Sequence, residues 1–354
     1  MSSALLNSAD VKAKAHSLGF SHVGFAPAEP VPDEVVARYE QWLREGRQGD
    51  MVYMEKHVAL RRDPRLLLPG AKTVVSLAMS YHPGGSPTQP ALAWYAQGRD
   101  YHDVIRERLK QLMERCFPQT HPQPLPCREG GSYNDSPCSL ERIYSPSCKG
   151  GVGGGSTSYR ICVDTAPIFE KYWAWRCGLG WIGRHTQLVI PHEGSAFFLA
   201  ELLLTAEADH YDNPIAQFSI LNSQTSILNP HPCGSCRRCI AACPTGAISD
   251  GGMDARRCLS YLTIEHRGPL PDNVAPYLRE CFYGCDRCLR ACPHLSKAPA
   301  TSVEDFRPSS SLLAMKRDDW RNLTPEQYRD LFRGSAVKRA KYEGLMRNIA
   351  CSLS

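Results

Sequence analysis

Two runs of cysteine in the second half of the chain constrain its fold more than any other feature. The first reads C-x-x-C-x-x-C-x-x-x-C-P and the second reads C-x-x-C-x-x-x-C-P. Their members, in chain order, are Cys233, Cys236, Cys239 and Cys243, then Cys285, Cys288 and Cys292. Runs of this kind wrap a short loop around a 4Fe–4S cluster, and the last cysteine usually binds the neighbouring cluster. The pair therefore predicts two clusters in series, an arrangement for electron transfer.

The rule of the shared last cysteine sorts most of the ligands. It assigns the first cluster to Cys233, Cys236, Cys239 and Cys292, and three corners of the second to Cys243, Cys285 and Cys288. A symmetric ferredoxin would supply the remaining thiolate from position 282, but that residue is Phe282. The substitutes are Cys281, which is one residue out of phase, and Cys258, which lies in a separate loop. We expect Cys258 to be the ligand.

Length and composition narrow the class of protein. The 354 residues suit about two or three domains. Sixteen cysteines indicate metal ligands and free thiols if the compartment is reducing. No signal peptide is evident in the first residues, and no apolar stretch reaches the roughly eighteen residues of a membrane span. We therefore expect a cytoplasmic protein without membrane contact. The net charge of +5 permits a nucleic-acid partner without requiring one.

Periodicity and turn residues predict alternating helices and strands before the cysteine runs. Helices are expected at 10–19, at 33–45 with Asp33 as the cap, and at 100–116. Strands are expected at 21–26, 73–79, 160–163, 187–190 and 196–204. These elements predict a mixed α and β domain. Beyond residue 300 the chain becomes basic and helical.

Residues 117–158 interrupt this pattern, because they are rich in Pro, Gly, Ser and Cys and have no period. We interpret them as a disordered surface insertion. Cys127, Cys138 and Cys148 lie within it, but none of them is in C-x-x-C spacing. We therefore favour a disordered insertion without a metal over a metal-binding insertion.

Asp164 has two interpretations from its local sequence, in which a short strand precedes it and a helix follows. It is either a proton donor in a pocket or a helix N-cap, with Pro167 opening the helix. The glycine-rich loop after that helix leads into a strand, so it is not a dinucleotide-binding fingerprint. His185 in that loop is either a ligand or a buried histidine with satisfied hydrogen bonds.

Several longer motifs carry a resemblance to a known family. They read DTAP at 164–167, GLGWIGRHT at 178–186, GSAFFLAEL at 194–202 and DARRCLSYLTIE at 254–265, with GRDYH at 98–102 and GSAVKR at 334–339 in support. Together with the eight cysteines, these motifs resemble epoxyqueuosine reductases over nearly the whole chain outside the insertion.

The resemblance implies an oxidoreductase that reduces epoxyqueuosine to queuosine at the wobble position of tRNAs with a GUN anticodon, using cobalamin and two 4Fe–4S clusters. It implies a nitroreductase-like, cobalamin-binding catalytic domain at 1–221 and a ferredoxin-like domain at 222–300. A short helical segment at 301–354 would contact tRNA, and it would be truncated relative to relatives. An external donor would supply electrons to a monomer. Asp164 would supply a proton, since a carboxyl shielded from water can keep one near neutral pH.

Cobalamin contacts are expected from the same resemblance. The matching positions are Arg61, Asp164, Leu188, Leu199 and Ser260. The motif D-x-H-x-x-G, which binds cobalt through histidine, begins at Asp100 and His102, but Ile105 replaces its glycine. The cobalt should therefore have an open lower face.

Contacts to tRNA phosphates are expected from basic residues on one face. The candidates form two sets, Arg61, Arg62 and Arg65, and Lys338, Arg339 and Lys341. Two other classes remain open, a corrinoid reductive dehalogenase and a ferredoxin-like electron carrier without a substrate. The missing export signal and the 254–265 motif weigh against the dehalogenase. Corrin absorption in the reconstituted protein would exclude the simple carrier.

Overall fold

The computed structural model of the chain describes residues 5–117, 157–214 and 232–353. The predicted insertion, with Cys127, Cys138 and Cys148, lies outside the described residues except at its two ends. The predicted boundary at 221/222 lies outside them as well.

A four-stranded antiparallel sheet organises the first part of the chain, in the order β1-β2-β6-β3. Its strands are β1 (His22–Pro27), β2 (Thr73–Ser80), β6 (Phe197–Leu204) and β3 (Tyr159–Cys162). All eight residues of β2 are buried, because strands flank it and helices or loops cover both faces. The predicted mix of helices and strands is confirmed. Antiparallel pairing makes the domain α+β.

The alternation of side chains along β6 divides the core into two layers. Phe198, Ala200 and Leu202 face a cluster formed with α1 (Ser8–Ser17) and α5 (Tyr101–Cys116). Leu199 and Leu203 face the other cluster, which is formed with α6 (Glu170–Arg176) and β5 (Leu188–Val189). Strand β5 pairs with the short strand β4 (Trp181–Ile182). The sheet thus presents α6 and the loop before it on one face.

Helix α2 (Asp33–Arg44) corrects one expectation. Its first helical residue is Asp33, the N-cap is Pro32, and no side chain caps the helix. The Asp33 carboxylate accepts a hydrogen bond from Arg62 at 3.2 Å instead. Proline fixes the extended backbone that a cap position needs, so the helix can begin here without a capping side chain. Arg62 belongs to α3 (Val58–Arg62), which precedes α4 (Pro64–Leu67).

The cysteine runs each lead into a short helix, α7 (Arg238–Ala241) and α10 (Arg287–Arg290). Between them lie β7 (Ile248–Ser249), β8 (Gly252–Met253), α8 (Leu259–Ile264) and α9 (Ala275–Leu278). The second run is held against the first domain by backbone pairing. Ala93 N donates to Tyr283 O at 2.8 Å and Phe282 N donates to Ala91 O at 3.0 Å. The cluster loops are therefore fixed relative to the sheet.

The last helices are α11 (Ser310–Ala314), α12 (Arg317–Arg321), α13 (Pro325–Leu331) and α14 (Lys341–Leu353), so the predicted helical C-terminal segment is confirmed. They share a core with Leu92 and Phe282. The Phe282 ring packs edge-on against Trp320, with centroids 5.1 Å apart. Position 282 is thus a packing site, which explains why it is not a ligand. No helix within the described ranges is long and apolar enough to cross a membrane.

Candidate active site and cluster-binding loops

Asp164 lies in the loop that joins β3 to α6. Its φ of 53° falls in the left-handed region, which residues other than glycine rarely occupy. The backbone N–H of Asp164 donates to Glu170 Oε1 at 2.6 Å, which ties this conformation to the start of α6. Because α6 begins at Glu170, with Phe169 before it, the N-cap interpretation of Asp164 is wrong. A strained backbone of this kind is common at functional sites.

The Asp164 carboxylate faces a histidine. His102 Nε2 lies 3.0 Å from Asp164 Oδ2, and His102 Nδ1 lies 2.7 Å from Asp100 Oδ1. Asp100 is also the N-cap of α5 and accepts the backbone N–H of His102, so its position is fixed. An ionised carboxylate only accepts hydrogen bonds, so both ring nitrogens must carry protons. The arrangement is an imidazolium held between two carboxylates.

The ionisation states follow from this geometry. Burial alone would lower the pKa of His102, but the hydrogen bonds to Asp100 and Asp164 outweigh it and raise the pKa to about 9. Burial is the largest single influence on Asp164 and opposes its ionisation, but the hydrogen bonds from His102 and Tyr101 and the charges of His102 and Arg339 together outweigh it and lower the pKa of that carboxyl. This direction is opposite to the expectation that Asp164 keeps its proton near neutral pH. In the resting site the proton is on His102.

Asp164 and its neighbours His102, Glu170 and Arg339 form a solvent-accessible site, which is called the cleft below. The Asp164 side chain is 55% exposed, so water reaches the carboxylate, while the surrounding protein still makes burial the largest influence on its pKa. Glu170 beside it is half-buried, and burial together with the charge of Asp164 raises the pKa of Glu170 to about 8. Two adjacent carboxyls are thus pushed to opposite ionisation states at neutral pH, as in many acid–base sites.

Lys171 follows Glu170 on α6. It interacts electrostatically with the carboxyls of the cleft and with a cysteine of the second run. Burial lowers the pKa of Lys171, and Glu170, Asp164 and Cys288 all act in the opposite direction. Among the residues that the structure describes, its ammonium has no hydrogen-bond or ion-pair partner. The cleft and the second cysteine run are therefore within electrostatic reach of one another.

Arg339 lies at the edge of the same cleft. It forms a two-pronged ion pair with Glu265, at 2.9 and 2.8 Å, and its guanidinium lies 5.5 Å from the ring centre of Tyr53. Its charge also contributes to the lowered pKa of Asp164. The GSAVKR motif thus brings the C-terminal segment to the site.

The expected cobalamin contacts fall into two places. Arg61 donates from its guanidinium to Ile168 O at 3.3 Å, in the loop that carries Asp164. Leu188 and Leu199 pack in the hydrophobic cluster that contains Ile168. Ser260 is on α8 in the cluster segment, two residues after Cys258. Arg61 and Asp164 thus lie at the β3–α6 loop, Leu188 and Leu199 belong to the hydrophobic cluster that this loop joins through Ile168, and Ser260 lies near Cys258.

The thiols separate into two groups. Burial raises the pKa of Cys292, and the neighbouring thiols Cys233 and Cys236 raise it further, as they also do for Cys239. We call these four the first thiol group. Burial likewise raises the pKa of Cys288, and its nearest charged neighbours are Cys285, Cys258 and Cys243, the second thiol group. Cys239 also acts on Cys288, so the two groups are adjacent.

Cys281 and Cys258 differ in their surroundings. The Cys281 thiol donates to the carbonyl of Tyr283 at 3.3 Å and is held in its own loop. Burial raises the pKa of Cys258, and Cys243 is the thiol that acts on it. The charge of Cys258 also raises the pKa of Cys285. Both substitutes for position 282 thus interact with the second thiol group, Cys281 with Cys285, and Cys258 with Cys243 and Cys285.

Each of the two groups contains four thiols, and sulfur is the donor atom that iron–sulfur clusters take. Within the described ranges no three His, Cys, Asp or Glu side chains are gathered closely enough to hold one metal ion. In a cubane each thiolate binds a different iron, so the ligands stand further apart. The donor set, four thiols in each group, is the one that 4Fe–4S clusters take.

His185 has satisfied hydrogen bonds. It is 2% exposed, Gln187 N donates to its Nδ1 at 3.2 Å, and Nε2 lies 3.4 Å from Ser195 Oγ. Burial lowers the pKa of His185 to about 4, so it is neutral. His102, Glu170 and Lys171 were not predicted as site residues. Only the GRDYH motif signalled His102, and nothing local signalled the other two.

Comparison with known proteins adds to this picture. A family model described as a 4Fe-4S double cluster binding domain matches residues 232–294, which contain both cysteine runs. With a carboxylate–imidazole site beside these loops, the chain is an iron–sulfur oxidoreductase. A model described as "Epoxyqueuosine reductase QueG, DUF1730" matches residues 61–129. The chain is 37% identical over 347 residues to the epoxyqueuosine reductase of Leadbetterella byssophila, and the match covers 97% of each chain. It belongs to the epoxyqueuosine reductase family.

More distant relatives agree. The epoxyqueuosine reductase of Pseudomonas aeruginosa is 33% identical, with 97% of this chain and 84% of that one covered. The structure of the enzyme from Streptococcus thermophilus matches with a TM-score of 0.71 and 25% identity over 98% of this chain and 80% of that one. A crystal structure of an epoxyqueuosine reductase with an epoxyqueuosine-modified tRNA-Tyr stem loop has the same fold, with a TM-score of 0.74, 24% identity and the same coverage.

Proposed function

We propose that this chain reduces epoxyqueuosine to queuosine at the wobble position of tRNAs with a GUN anticodon. The observation that carries the proposal is the placement of Lys171. The charges of both Asp164 and Cys288 raise the pKa of its ammonium. A proton site and an electron site are thus combined in one cleft, as the reduction of an epoxide requires. In the proposal the chain acts as a cytoplasmic monomer that receives electrons from a separate donor.

The reaction consumes two electrons and two protons. Both carbon–oxygen bonds of the epoxide break, a carbon–carbon double bond forms, and the oxygen leaves as water. The oxygen departs more easily when it is protonated, so a donor beside it accelerates the reaction. We assign this donation to Asp164.

We assign the electron path to the two thiol groups. Cys233, Cys236, Cys239 and Cys292 would hold the first cluster, and Cys243, Cys258, Cys285 and Cys288 the second. The mutual effects of the thiols within each group support this division. The second group is the one that reaches Lys171, so electrons would pass from the first cluster to the second and then to the cleft.

Cobalamin, when bound, would supply a strongly reducing cobalt centre. The residues at the β3–α6 loop suit such a group. The buried Nε of Arg61 has no partner among the described residues, which leaves a donor for the amide oxygens at the rim of a corrin. Leu188 and Leu199 offer an apolar wall, and Ser260 and Asp164 offer polar contacts. His102 is bound through both nitrogens to carboxylates, so it is not available as a lower ligand.

Ion pairs within the protein reduce the number of basic candidates that are free to contact tRNA phosphates. Arg62 pairs with Asp33, Arg65 with Asp63, and Arg339 with Glu265. Lys338 and Lys341 are exposed, and neither has a partner in the part of the chain that the structure describes. We assign the phosphate contacts of the C-terminal segment to these two lysines, since an unpaired ammonium gains most from a phosphate.

An anaerobic assay tests the proposal. Protein reconstituted with clusters and cobalamin is given a chemical reductant and epoxyqueuosine-containing tRNA, and the released nucleosides are weighed by mass spectrometry. Loss of one oxygen atom from the modified base is expected. Asp164→Asn should abolish it, and Asp103→Asn, an exposed acid on α5, is the matched control. Failure to bind corrin would refute both enzyme interpretations, and cobalamin-dependent loss of halide in place of base reduction would support a dehalogenase.

A further inference from the structure

We propose that His102 is the proton carrier that loads Asp164 twice in each turnover, with Asp100 as the residue that positions the imidazole. The inference rests on the proposed function, because it concerns the protons of that reaction. It assigns a catalytic part to the GRDYH motif, which otherwise appears only as an incomplete cobalt-binding signature.

The need for a second proton comes from the balance of the reaction. The same oxygen is protonated once when the epoxide ring opens and again when it leaves as water. A carboxyl holds one proton at a time, so Asp164 must be reloaded between the two events. The substrate covers the cleft at that moment, so the second proton has to come from a group that already touches Asp164.

His102 meets this requirement. Its Nε2 lies 3.0 Å from Asp164 Oδ2, which is hydrogen-bond distance for direct transfer. In each delivery the Nε2–H proton passes to Oδ2, Asp164 gives it to the substrate oxygen, and the neutral imidazole takes another proton from water. The His102 side chain is 21% exposed, so water reaches the ring and can return the proton.

The ring is held in one orientation from two sides. Nδ1 lies 2.7 Å from Asp100 Oδ1, and the Tyr101 ring stacks on the imidazole with centroids 4.0 Å apart. Tyr101 itself stacks at 4.3 Å on Phe198 of β6, in the buried core. This support keeps Nε2 directed at Asp164 while the ring loses and regains its proton. The orienting carboxylate of a catalytic triad has the same role.

The other neighbours of Asp164 do not fit. Glu170 accepts the backbone N–H of Asp164 and makes no hydrogen bond to its carboxylate. Tyr101 donates toward Asp164, but burial raises the pKa of its phenol far above the usual value, so it retains its proton. The charged or titratable groups that interact with His102 or its partners are Asp100, Tyr101, Arg106, Asp164, Glu170, Lys171, Arg339 and Tyr53.

The first test measures the imidazole itself. In protein labelled with ¹³C-histidine and carrying oxidised clusters, NMR should show one ring that titrates near pH 9 and disappears in His102→Gln. In Asp164→Asn this ring should titrate at a lower pH. A His102 that titrates near the ordinary value of about 6.5 would overturn the proposal.

The second test measures how the rate of the reaction depends on pH. Single-turnover rates of the full enzyme are recorded between pH 6 and 10 for the parent, His102→Gln, Asp100→Asn and His16→Gln, the last being an exposed histidine of α1. The parent rate should fall above about pH 9. His102→Gln should be about a hundredfold slower at pH 7, the order expected for a lost proton carrier. Added imidazole should restore part of the rate in His102→Gly.

The two proposals fail differently. If the parent reduces the tRNA base and His102→Gln keeps the same pH profile and rate, the proton-carrier inference is refuted while the proposed function stands. If the parent binds corrin and tRNA but leaves the base unchanged, the proposed function fails and this inference with it. Cluster content, corrin binding and the Kd for tRNA should be unchanged in His102→Gln. A loss of any of them would make His102 structural.

Discussion

The His102–Asp164 pair should make the stability of the protein depend on pH in a direction that the structure fixes. The pKa of His102 rises from 6.5 to about 9 on folding, because the hydrogen bonds to Asp100 and Asp164 outweigh burial. A group whose pKa is raised on folding stabilises the protein fully below its unfolded pKa and loses that effect as pH rises through the folded value. The stabilisation is therefore present at pH 6 and lost near pH 10.

The size of the effect follows from the same values. At about 1.4 kcal/mol per pH unit, a pKa rise of about 2.5 gives about 3.5 kcal/mol. Water reaches Asp164 and screens its share, so we expect about 2 kcal/mol from the pair of carboxylates. For a chain of this size, that corresponds to a few degrees in Tm.

The assay compares Tm of the parent and His102→Gln in anaerobic buffers from pH 6 to 10, with His16→Gln as the control. The gap between parent and His102→Gln should be a few degrees at pH 6 and close to zero at pH 10. Glu170 titrates in the same range, with a pKa of about 8, but it is present in both proteins and largely cancels. A gap that stays constant across the range would refute the reasoning, since it would reflect packing and not charge.

Three further predictions concern the site. Asp164→Asn should end turnover and leave cluster and corrin absorption intact, while a loss of corrin binding would make Asp164 structural. Cys258→Ser should reduce iron content and remove the signal of the second cluster in electron paramagnetic resonance. Cys281→Ser should change neither, and the reverse result would overturn the ligand assignment. Lys171→Met should move the reduction potential of the second cluster to a more negative value, because a nearby positive charge favours the reduced form. Lys171→Arg should restore the potential, and an unchanged potential in Lys171→Met would show that Lys171 does not reach the cluster.

The sequence predicted what depends on local spacing. The cysteine runs, the strand at 73–79 and the helix that Asp100 caps all follow from neighbours within a few positions, and the structure contains all of them. The missing thiol at Phe282 also drew attention to Cys258 from the sequence alone.

Such local patterns do not predict contacts between residues that are far apart in the sequence. His102 and Asp164 are 62 positions apart and meet because α5 and the β3–α6 loop lie at the same end of the sheet. A shielded carboxyl was expected to keep its proton, but its actual pKa depends on this distant imidazole. Asp33 failed as a cap for a related reason, because Arg62 takes its carboxylate and Pro32 sets the backbone.

The buried side chain of Asn348 has a consequence for the order of assembly. Its amide donates to Thr263 O at 2.8 Å and to Phe282 O at 3.0 Å, so one residue of α14 joins α8, which follows Cys258, to the loop before Cys285. During synthesis both segments leave the ribosome well before α14 does. The two halves of the second thiol group therefore gain their common anchor only when this helix has been made and has docked. The synthesis and docking of α14, and not the emergence of the cysteines, set the earliest time at which this group is held in its final geometry.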